Sequence, residues 1–255
     1  MWEIYDQLIN AIPDGLAVEY VVAGTYHVCV RSELGMGLAP LLPGDMRSER
    51  YPREIGMPLK KLAEAVKSWN FIEASIGHAA LNAYYNAIPV AGKNGIDFGN
   101  GRHSEDRLKD PFIAYQNAIK GKKVAVIGHF HYLDKLFAPV CDLSIIERTQ
   151  QEGDYPLEAA EYILPQSDFV IIPCSSIAYK TLPRYLELAE NAYVIMVGCS
   201  TTLSPVLFER GIDDLSGLVV SDEEKAKNII SGNIKGNIHL AAQKVSMKKT
   251  LFFKQ

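Results

Sequence analysis

The sequence predicts a two-domain α/β protein, in which an α+β domain is followed by a mainly parallel sheet flanked by helices. Two observations support this prediction. Before residue 120, strand-like segments come first and helical segments follow, an order typical of α+β units. After Gly121, short β-branched segments alternate with helical stretches, as in right-handed βαβ crossovers. We therefore expect domains over residues 1–120 and 121–255.

The N-terminal domain begins with a predicted amphipathic helix, because Tyr5, Leu8, Ile9 and Ile12 recur at helical spacing. Residues 16–22, 26–30 and 35–38 are predicted strands. Apolar residues at helical spacing predict one helix along 59–69 and an alanine-rich second helix over 71–85. Residues 89–111, rich in glycine and charge, are expected to form a loop and linker, and 112–119 a connecting helix.

The C-terminal domain contains five predicted strands and five predicted helices. The strands are expected at 124–127, 143–146, 169–172, 193–197 and 218–220, and the helices at 132–137, 157–164, 182–190, 205–210 and 223–230. The strand segments are apolar without interruption, which is typical of parallel strands covered on both faces.

Composition and charge exclude several classes of protein. A net charge of −4 without a basic block argues against nucleic-acid binding. Four lysines near the C-terminus, Lys244, Lys248, Lys249 and Lys254, are interpreted as a solvated face. No apolar run reaches the ~18–20 residues that span a bilayer, so no membrane partner is expected.

The cysteines and the first residues predict a cytoplasmic protein. Cys29, Cys141, Cys174 and Cys199 are widely spaced and form no CxxC pair, as expected of thiols in a reducing compartment. The N-terminal residues lack the basic start and apolar core of a signal peptide.

The first parallel strand ends in Gly128, His129, Phe130 and His131. Ligands of such sheets bind outside the carboxyl ends of the strands. A dinucleotide-binding turn has further glycines where this chain has Phe130 and His131, so NAD is not expected as a cofactor. Glu147 follows the second strand, where it can accept hydrogen bonds from ribose hydroxyls or simply pair with Arg148 at the surface.

Small hydroxyl residues follow the third and fourth parallel strands. Cys174, Ser175 and Ser176 end the third strand, and the fourth ends in Gly198, Cys199, Ser200, Thr201 and Thr202. Ser204 before Pro205 is explained by helix capping alone, but the other hydroxyls favour contact with a polar ligand.

His129, His131, Cys174 and Cys199 are candidate ligands of a transition metal at the same sheet edge, since zinc, nickel and copper bind imidazole and thiolate. The alternative is that the cysteines are buried, unreactive thiols. The sequence has no P-loop, no HExxH motif and no GxSxG nucleophile elbow.

The helix over 71–85 carries a polar stripe of Ser75, His78, Asn82 and Asn86 at steps of three and four residues. The stripe is interpreted either as a solvated face or as the border of a cleft between the domains. Glu73, the only carboxylate of this helix, is a candidate general base.

The motifs taken together resemble the heavy-metal chelation family, a domain of unknown function. The matching segments cover most of the chain: 37–39 (Gly-Leu-Ala), 74–83 (Ala-Ser-Ile-Gly-His-Ala-Ala-Leu-Asn-Ala), 128–130 (Gly-His-Phe), 145–148 (Ile-Ile-Glu-Arg), 198–205 (Gly-Cys-Ser-Thr-Thr-Leu-Ser-Pro) and 211–217 (Gly-Ile-Asp-Asp-Leu-Ser-Gly). The resemblance implies an enolase N-terminal-like domain joined to a Rossmann-like domain. It also implies a small-molecule enzyme for condensation or hydrolysis in the synthesis of pterin-, flavin- or siderophore-like chelators, linked to heavy-metal handling.

The chain departs from this family at two strand ends. Where members have a Thr-Gly-Thr-Thr-like segment, residues 173–176 are Pro-Cys-Ser-Ser, and where they have Gly-Pro-Ser-Thr-Pro, residues 198–202 are Gly-Cys-Ser-Thr-Thr. Both changes introduce a thiol.

Three functions therefore stand open. The first is an enzyme acting on a small molecule between the domains, with Glu73, His78, His129 and His131 as acid–base groups. The second is a carrier of a metal or metal complex without turnover. The third is an S-adenosylmethionine-dependent methyltransferase. The end of the first parallel strand argues against this function, because it lacks the acidic-Gly-x-Gly turn that is usual in such enzymes. A homodimer is the default assembly for such a protein.

Overall fold

The computed structural model describes residues 2–44, 51–98 and 110–253. Its N-terminal part contains a three-stranded antiparallel sheet in the order β1-β2-β3, formed by Val18–Ala23, His27–Ser32 and Met36–Pro40. The three strands predicted from the sequence are confirmed, with ends displaced by one or two residues. Among the described residues, no helix has the length and apolar character needed to cross a membrane.

Four helices accompany this sheet: α1 (Glu3–Asn10), α2 (Leu59–Ala63), α3 (Phe71–Tyr85) and α4 (Ile88–Lys93). The bounds of α3 agree with the prediction, because the Asn70 side chain caps it by accepting hydrogen bonds from two backbone N–H groups. Gly37 on β3 and Gly77 in α3 permit close backbone packing on either side of the helix, since a Cβ at either position would overlap neighbouring backbone.

Three predictions about this half were wrong in detail. The helix expected along 59–69 ends at Ala63 and continues as a 3-10 turn over Glu64–Lys67, which leaves Trp69 46% exposed. The loop expected over 89–111 includes most of α4, and residues 99–109 of it lie outside the described residues. The connecting helix is confined to α5, Pro111–Ala114.

The C-terminal part contains the predicted mainly parallel sheet, with six strands in the order β5-β4-β6-β7-β8-β9. The strands are β4 (Lys123–Ile127), β5 (Asp142–Ile146), β6 (Phe169–Pro173), β7 (Tyr193–Val197), β8 (Asp214–Val220) and β9 (Ala242–Lys248). The first five are parallel and β9 pairs antiparallel with β8. The strand that follows β4 in the chain, β5, lies on one side of it, and β6 to β8 lie on the other side. The carboxyl ends of β4 and β6 therefore flank a switch point in the strand order, where ligands of open α/β sheets bind.

Strand β9 was not predicted. Lys244 and Lys248 lie on it rather than on a uniformly solvated face, while Val245 and Met247 point into the core between them. This two-residue alternation is typical of a strand with one buried face.

Helices cover both faces of the six-stranded sheet. They are α6 (Leu133–Leu136), α7 (Ala160–Ile163), α8 (Ser176–Tyr179), α9 (Leu182–Leu188), α10 (Pro205–Glu209), α11 (Glu223–Ile230) and α12 (Lys249–Phe252). Alternate residues of β4 enter different hydrophobic clusters: Ala125 and Ile127 join one, and Val124 and Val126 the other. This burial on both faces explains the uninterrupted apolar strands.

The larger of these clusters is shared between the two halves of the chain. It contains Leu8 and Ile9 of α1 and Ile76 of α3 together with Val170 and Ile172 of β6. The carboxyl edge of the parallel sheet is thereby held against β3 and α3. A domain boundary near residue 120 stays a prediction.

Candidate functional site

A cavity of about 400 Å³ lies at the carboxyl edge of β4, β6, β7 and β8. Its volume is within the ~300–1,000 Å³ of small-molecule sites. Its lining comes from both halves of the chain: Pro40, Asp110, Pro111, Phe112, Phe130, Tyr132, Pro173, Cys174, Ser175, Val197, Gly198, Cys199, Ser216, Gly217, Leu218, His239 and Lys244. We call it the edge cavity.

The end of the edge cavity beside β4 is aromatic. The ring of Phe112, in α5, lies 4.9 Å from the ring of Phe130 and 5.3 Å from that of Tyr132, centroid to centroid. Asp110 fixes the start of α5, since its side chain accepts a hydrogen bond from the Phe112 backbone N–H. The rings form a wall against which a planar ligand can stack.

The centre of the edge cavity carries two thiols, Cys174 and Cys199, both free. Pro173 and Val197 are partners in the β6–β7 pairing, and the Cys174 N–H donates to the Val197 carbonyl at 2.7 Å. Cys174 therefore lies beside Gly198, one residue before Cys199. Gly198 has a φ of +134°, and a Cβ there would overlap the Cys174 sulfur.

The two thiols shift each other's pKa, and a histidine from the N-terminal sheet completes the group. Cys199 Sγ lies 3.5 Å from His27 Nε2 and 3.4 Å from Ser200 Oγ. The neighbouring Cys174 and the His27 side chain lower the pKa of Cys199, whereas the neighbouring Cys199 and burial raise the pKa of Cys174. The Cys199 bond raises the pKa of His27 in turn. Cys199 is thus the more acidic of the two thiols.

The end of the edge cavity beside β9 is basic. Lys244 Nζ lies 2.9 Å from Asp110 Oδ2, an ion pair that connects β9 to the start of α5. His239 lies next to it on the 3-10 turn Ile238–Ala241. Partial burial and the nearby Lys244 charge lower the pKa of His239, so the imidazole is neutral at pH 7 and able to accept a proton.

A second, smaller cavity of about 120 Å³ lies at the switch point between β4, β5 and β6. Of the predicted ligand-binding residues, Gly128, Glu147, Ser175 and Ser176 line it. The Glu147 carboxylate accepts hydrogen bonds from the backbone N–H groups of His129 and Thr149, at 2.9 and 3.0 Å. Glu147 therefore braces the turns after β4 and β5, a role additional to the ribose contact and the Arg148 pairing considered from the sequence.

The guanidinium of Arg148 stacks on the Tyr179 ring at 4.5 Å. Within the described ranges, no ion pair joins Arg148 to Glu147.

The four predicted metal ligands are not brought together. His129 Nδ1 lies 2.9 Å from Asp154 Oδ1, and His131 is exposed, whereas Cys174 and Cys199 line the edge cavity. In the part of the chain that the structure describes, no group of three or more His, Cys, Asp or Glu side chains could hold a metal ion.

The polar stripe of α3 is not solvated. Ser75, His78 and Asn82 have no exposed surface and Asn86 only 4%. Asn82 Nδ2 donates to the carbonyls of Leu38 and Ser200, both at 2.8 Å, so it links β3 to the loop after β7. The stripe is the contact surface between α3 and that loop.

Of the hydroxyls after β7, that of Thr202 faces this contact, whereas those of Ser200 and Thr201 bond to Cys199 Sγ and to the Gly198 carbonyl within the loop. Ser200, Thr201 and Thr202 are fully buried and line neither of the two cavities. Thr202 Oγ1 donates to Asn82 Oδ1 at 2.7 Å and lies 3.3 Å from His78 Nε2. The sequence could not distinguish hydroxyls that bind a ligand from hydroxyls that bond within the protein, because a buried polar group needs a partner in either case.

The four predicted acid–base residues also lie apart from the edge cavity. The Glu73 carboxylate accepts hydrogen bonds from the Tyr51 N–H at 2.8 Å and from the Ser68 hydroxyl at 2.5 Å. His78 is buried against Thr202, while His129 and His131 follow β4 as described above.

Sequence reasoning did not find His27, Phe112, His239 and Lys244 as site residues. Each lies outside the ends of the parallel strands, and only folding brings Phe112, His239 and Lys244 to the edge cavity and His27 to Cys199. Of these four residues, only Lys244 could have been placed from the sequence. The alternation of polar and apolar residues along 242–248 could have identified β9, on which Lys244 lies.

Comparison with known families and structures gives a consistent result. The family profile DUF364, described as "Putative heavy-metal chelation", matches residues 110–248, and DUF4213, with the same description, matches residues 5–85. No protein among curated sequences matches the chain.

Two solved structures are similar over almost the whole chain. A DUF364-family protein of unknown function from Desulfitobacterium hafniense DCB-2 is 49% identical with a TM-score of 0.90, over 98% of this chain and 99% of that one. A second, from Pyrococcus horikoshii, is 21% identical with a TM-score of 0.72, over 96% and 98% respectively, and shows the fold alone.

Proposed function

The chain belongs to the DUF364 family, and we propose that it is an enzyme that binds a small planar chelating molecule of the pterin, flavin or siderophore type in the edge cavity. The observation that carries this proposal is the arrangement of the cavity, with an aromatic wall at one end, basic groups at the other and thiols between. The family description connects the chain with heavy-metal chelation. Planar heteroaromatic and catecholate molecules chelate such metals through adjacent oxygen and nitrogen atoms.

The lining suits such a molecule in two respects. The rings of Phe112, Phe130 and Tyr132 offer stacking surface, worth about 0.5–1.5 kcal/mol per aromatic pair beyond the burial of area. Lys244 can attract the negative oxygens of the ligand while its partner Asp110 keeps it in place.

We assign the acid–base role to His239 rather than to Glu73, His78, His129 or His131, since none of these four lines the edge cavity. A neutral imidazole beside a bound molecule can remove a proton in a condensation or activate water in a hydrolysis. The site would lie between an enolase N-terminal-like domain and a Rossmann-like domain divided near residue 120.

Binding of three probes tests the proposal. Pterin-6-carboxylate, riboflavin and 2,3-dihydroxybenzoate represent the three ligand types, and their fluorescence reports binding to the purified protein. We expect at least one to bind, and Phe130→Ala to weaken that binding about tenfold through loss of stacking. Tyr162→Ala is the matched control, since Tyr162 is 76% exposed and does not line the cavity.

Two results would contradict this proposal. One is the absence of binding by all three probes, and the other is an equal effect of the two substitutions. A stoichiometric heavy metal in the purified protein, without binding of any probe, would instead support the carrier function.

A further inference from the structure

Cys174 and Cys199 are the two cysteines that line the edge cavity, and we call them the thiol pair. They come from adjacent strands, which lie about 4.8 Å apart in a sheet, and the Cys174 N–H bonds to the residue two before Cys199. Gly198, directly before Cys199, has no side chain, and the Cys174 sulfur occupies the space that a Cβ there would fill. The other two cysteines, Cys29 and Cys141, do not line this cavity.

The surroundings of the pair differentiate the two sulfurs. Cys199 is half-buried and has His27 Nε2 at 3.5 Å and the Ser200 hydroxyl at 3.4 Å, both able to donate to a thiolate. Cys174 is 6% exposed, and the neighbouring Cys199 together with burial raises its pKa. Exchange centres have this asymmetry, in which one thiol is the nucleophile and its neighbour resolves the intermediate.

We propose that Cys199 and Cys174 are a redox-active dithiol that exchanges with low-molecular-weight disulfides entering through the edge cavity. The inference does not depend on the planar ligand proposed above. Both sulfurs line the edge cavity, so a small disulfide can approach them without opening of the sheet.

The exchange has two steps. The Cys199 thiolate attacks one sulfur of the small disulfide, forms a mixed disulfide and expels a thiolate that takes the proton of His27. Cys174 then loses its proton, and its thiolate attacks the Cys199 sulfur, expelling the second thiolate. The protein dithiol is oxidised to a Cys174–Cys199 disulfide and the small disulfide is reduced. The protons of His27 and Cys174 end on the two released thiols.

Reaction with 2-hydroxyethyl disulfide, followed by peptide mass spectrometry, tests the inference on the full-length wild-type protein. We expect a Cys174–Cys199 disulfide and release of two mercaptoethanol molecules per protein. Cys174→Ser should stop the reaction at a mixed disulfide on Cys199, with one molecule released. Cys199→Ser should abolish fast reaction at both positions.

Two controls separate this chemistry from general thiol reactivity. Cys141→Ser removes a half-buried cysteine outside the pair and should change neither product nor rate. His27→Gln should slow exchange about tenfold at neutral pH and recover the rate at higher pH, since His27 positions and stabilises the thiolate.

The inference is overturned if Cys199 in the wild-type protein reacts no faster than Cys141. It is equally overturned if Cys174→Ser accumulates no mixed disulfide although circular dichroism shows it to be folded. Binding of the planar probes can fail without affecting either result.

Discussion

The sulfur of Cys174 occupies the space that a side chain at Gly198 would fill, and this relationship between two adjacent strand ends shapes the centre of the edge cavity. Gly198 combines two demands that only glycine meets. Its φ of +134° is a conformation that other residues rarely adopt, and its Cα faces the Cys174 side chain directly.

Gly198→Ala should therefore destabilise the protein and displace Cys174 from Cys199. We expect a loss of about 2–6 kcal/mol in the free energy of unfolding, combining backbone strain with overpacking of about 1–3 kcal/mol each. Urea denaturation measures the loss, and the rate of Cys199 alkylation by iodoacetamide reports the change at the thiol pair.

Gly211→Ala is the matched control for that substitution. Gly211 has a φ of +101°, but a Cβ there would meet no atom within 4 Å, so only the backbone strain applies. Equal destabilisation by the two variants would show that contact with Cys174 is unimportant.

Asn82 holds the loop after β7 against β3 and α3, and Asn82→Ala should loosen that contact. The substitution removes the Asn82 hydrogen bonds to the carbonyls of Leu38 and Ser200, and leaves the Thr202 hydroxyl with only its contact to His78. Each buried group left unsatisfied costs about 1–3 kcal/mol, so we expect a total above 2 kcal/mol by urea denaturation.

Asn233→Ala provides the comparison for Asn82, because Asn233 makes its side-chain hydrogen bond at an exposed position. We expect it to change the free energy of unfolding by less than about 0.5 kcal/mol. A similar small effect of Asn82→Ala would contradict the bracing role.

His78 should make the protein sensitive to acid. Burial lowers the pKa of His78 to about 4, from about 6.5 in the unfolded chain. Between these values the unfolded state binds a proton that the folded state does not, so stability falls as the pH decreases from 6.5 to 4. The total loss is about 3 kcal/mol.

His78→Gln should flatten the dependence of the free energy of unfolding on pH between 7 and 4.5, as measured by urea denaturation at several pH values. His131→Gln also removes a histidine, but from an exposed position, and serves as the control. The explanation fails if the wild type and His78→Gln lose stability in parallel over this range.

Much of the fold could be predicted from local patterns. Helix α3 was predicted with its observed bounds from its alanine-rich segment with apolar residues at helical spacing, and in the structure Asn70 caps it. The parallel strands were visible since both of their faces are buried, which leaves an uninterrupted apolar run. The prediction of a helix over 59–69 was less accurate, because apolar spacing does not distinguish a continuous α-helix from a short helix followed by a 3-10 turn.

The candidate site was predictable only where it coincides with strand ends. Phe130, Cys174, Ser175 and Gly198 follow parallel strands, and a rule about sheet edges places them at the cavity. His27 and His239 come from an antiparallel strand and a 3-10 turn, for which no such rule exists.

The sequence by itself determined the fold class, the positions of the parallel strands and the sheet edge at which the edge cavity lies. These properties depend on hydrophobic periodicity and turn residues, which act over a few neighbouring positions. Only the tertiary structure decided which polar groups face the cavity and which brace the interior. The same hydroxyl or imidazole satisfies its hydrogen bonds in either place, and the choice depends on partners more than a hundred residues away, as Asn82 and Thr202 show.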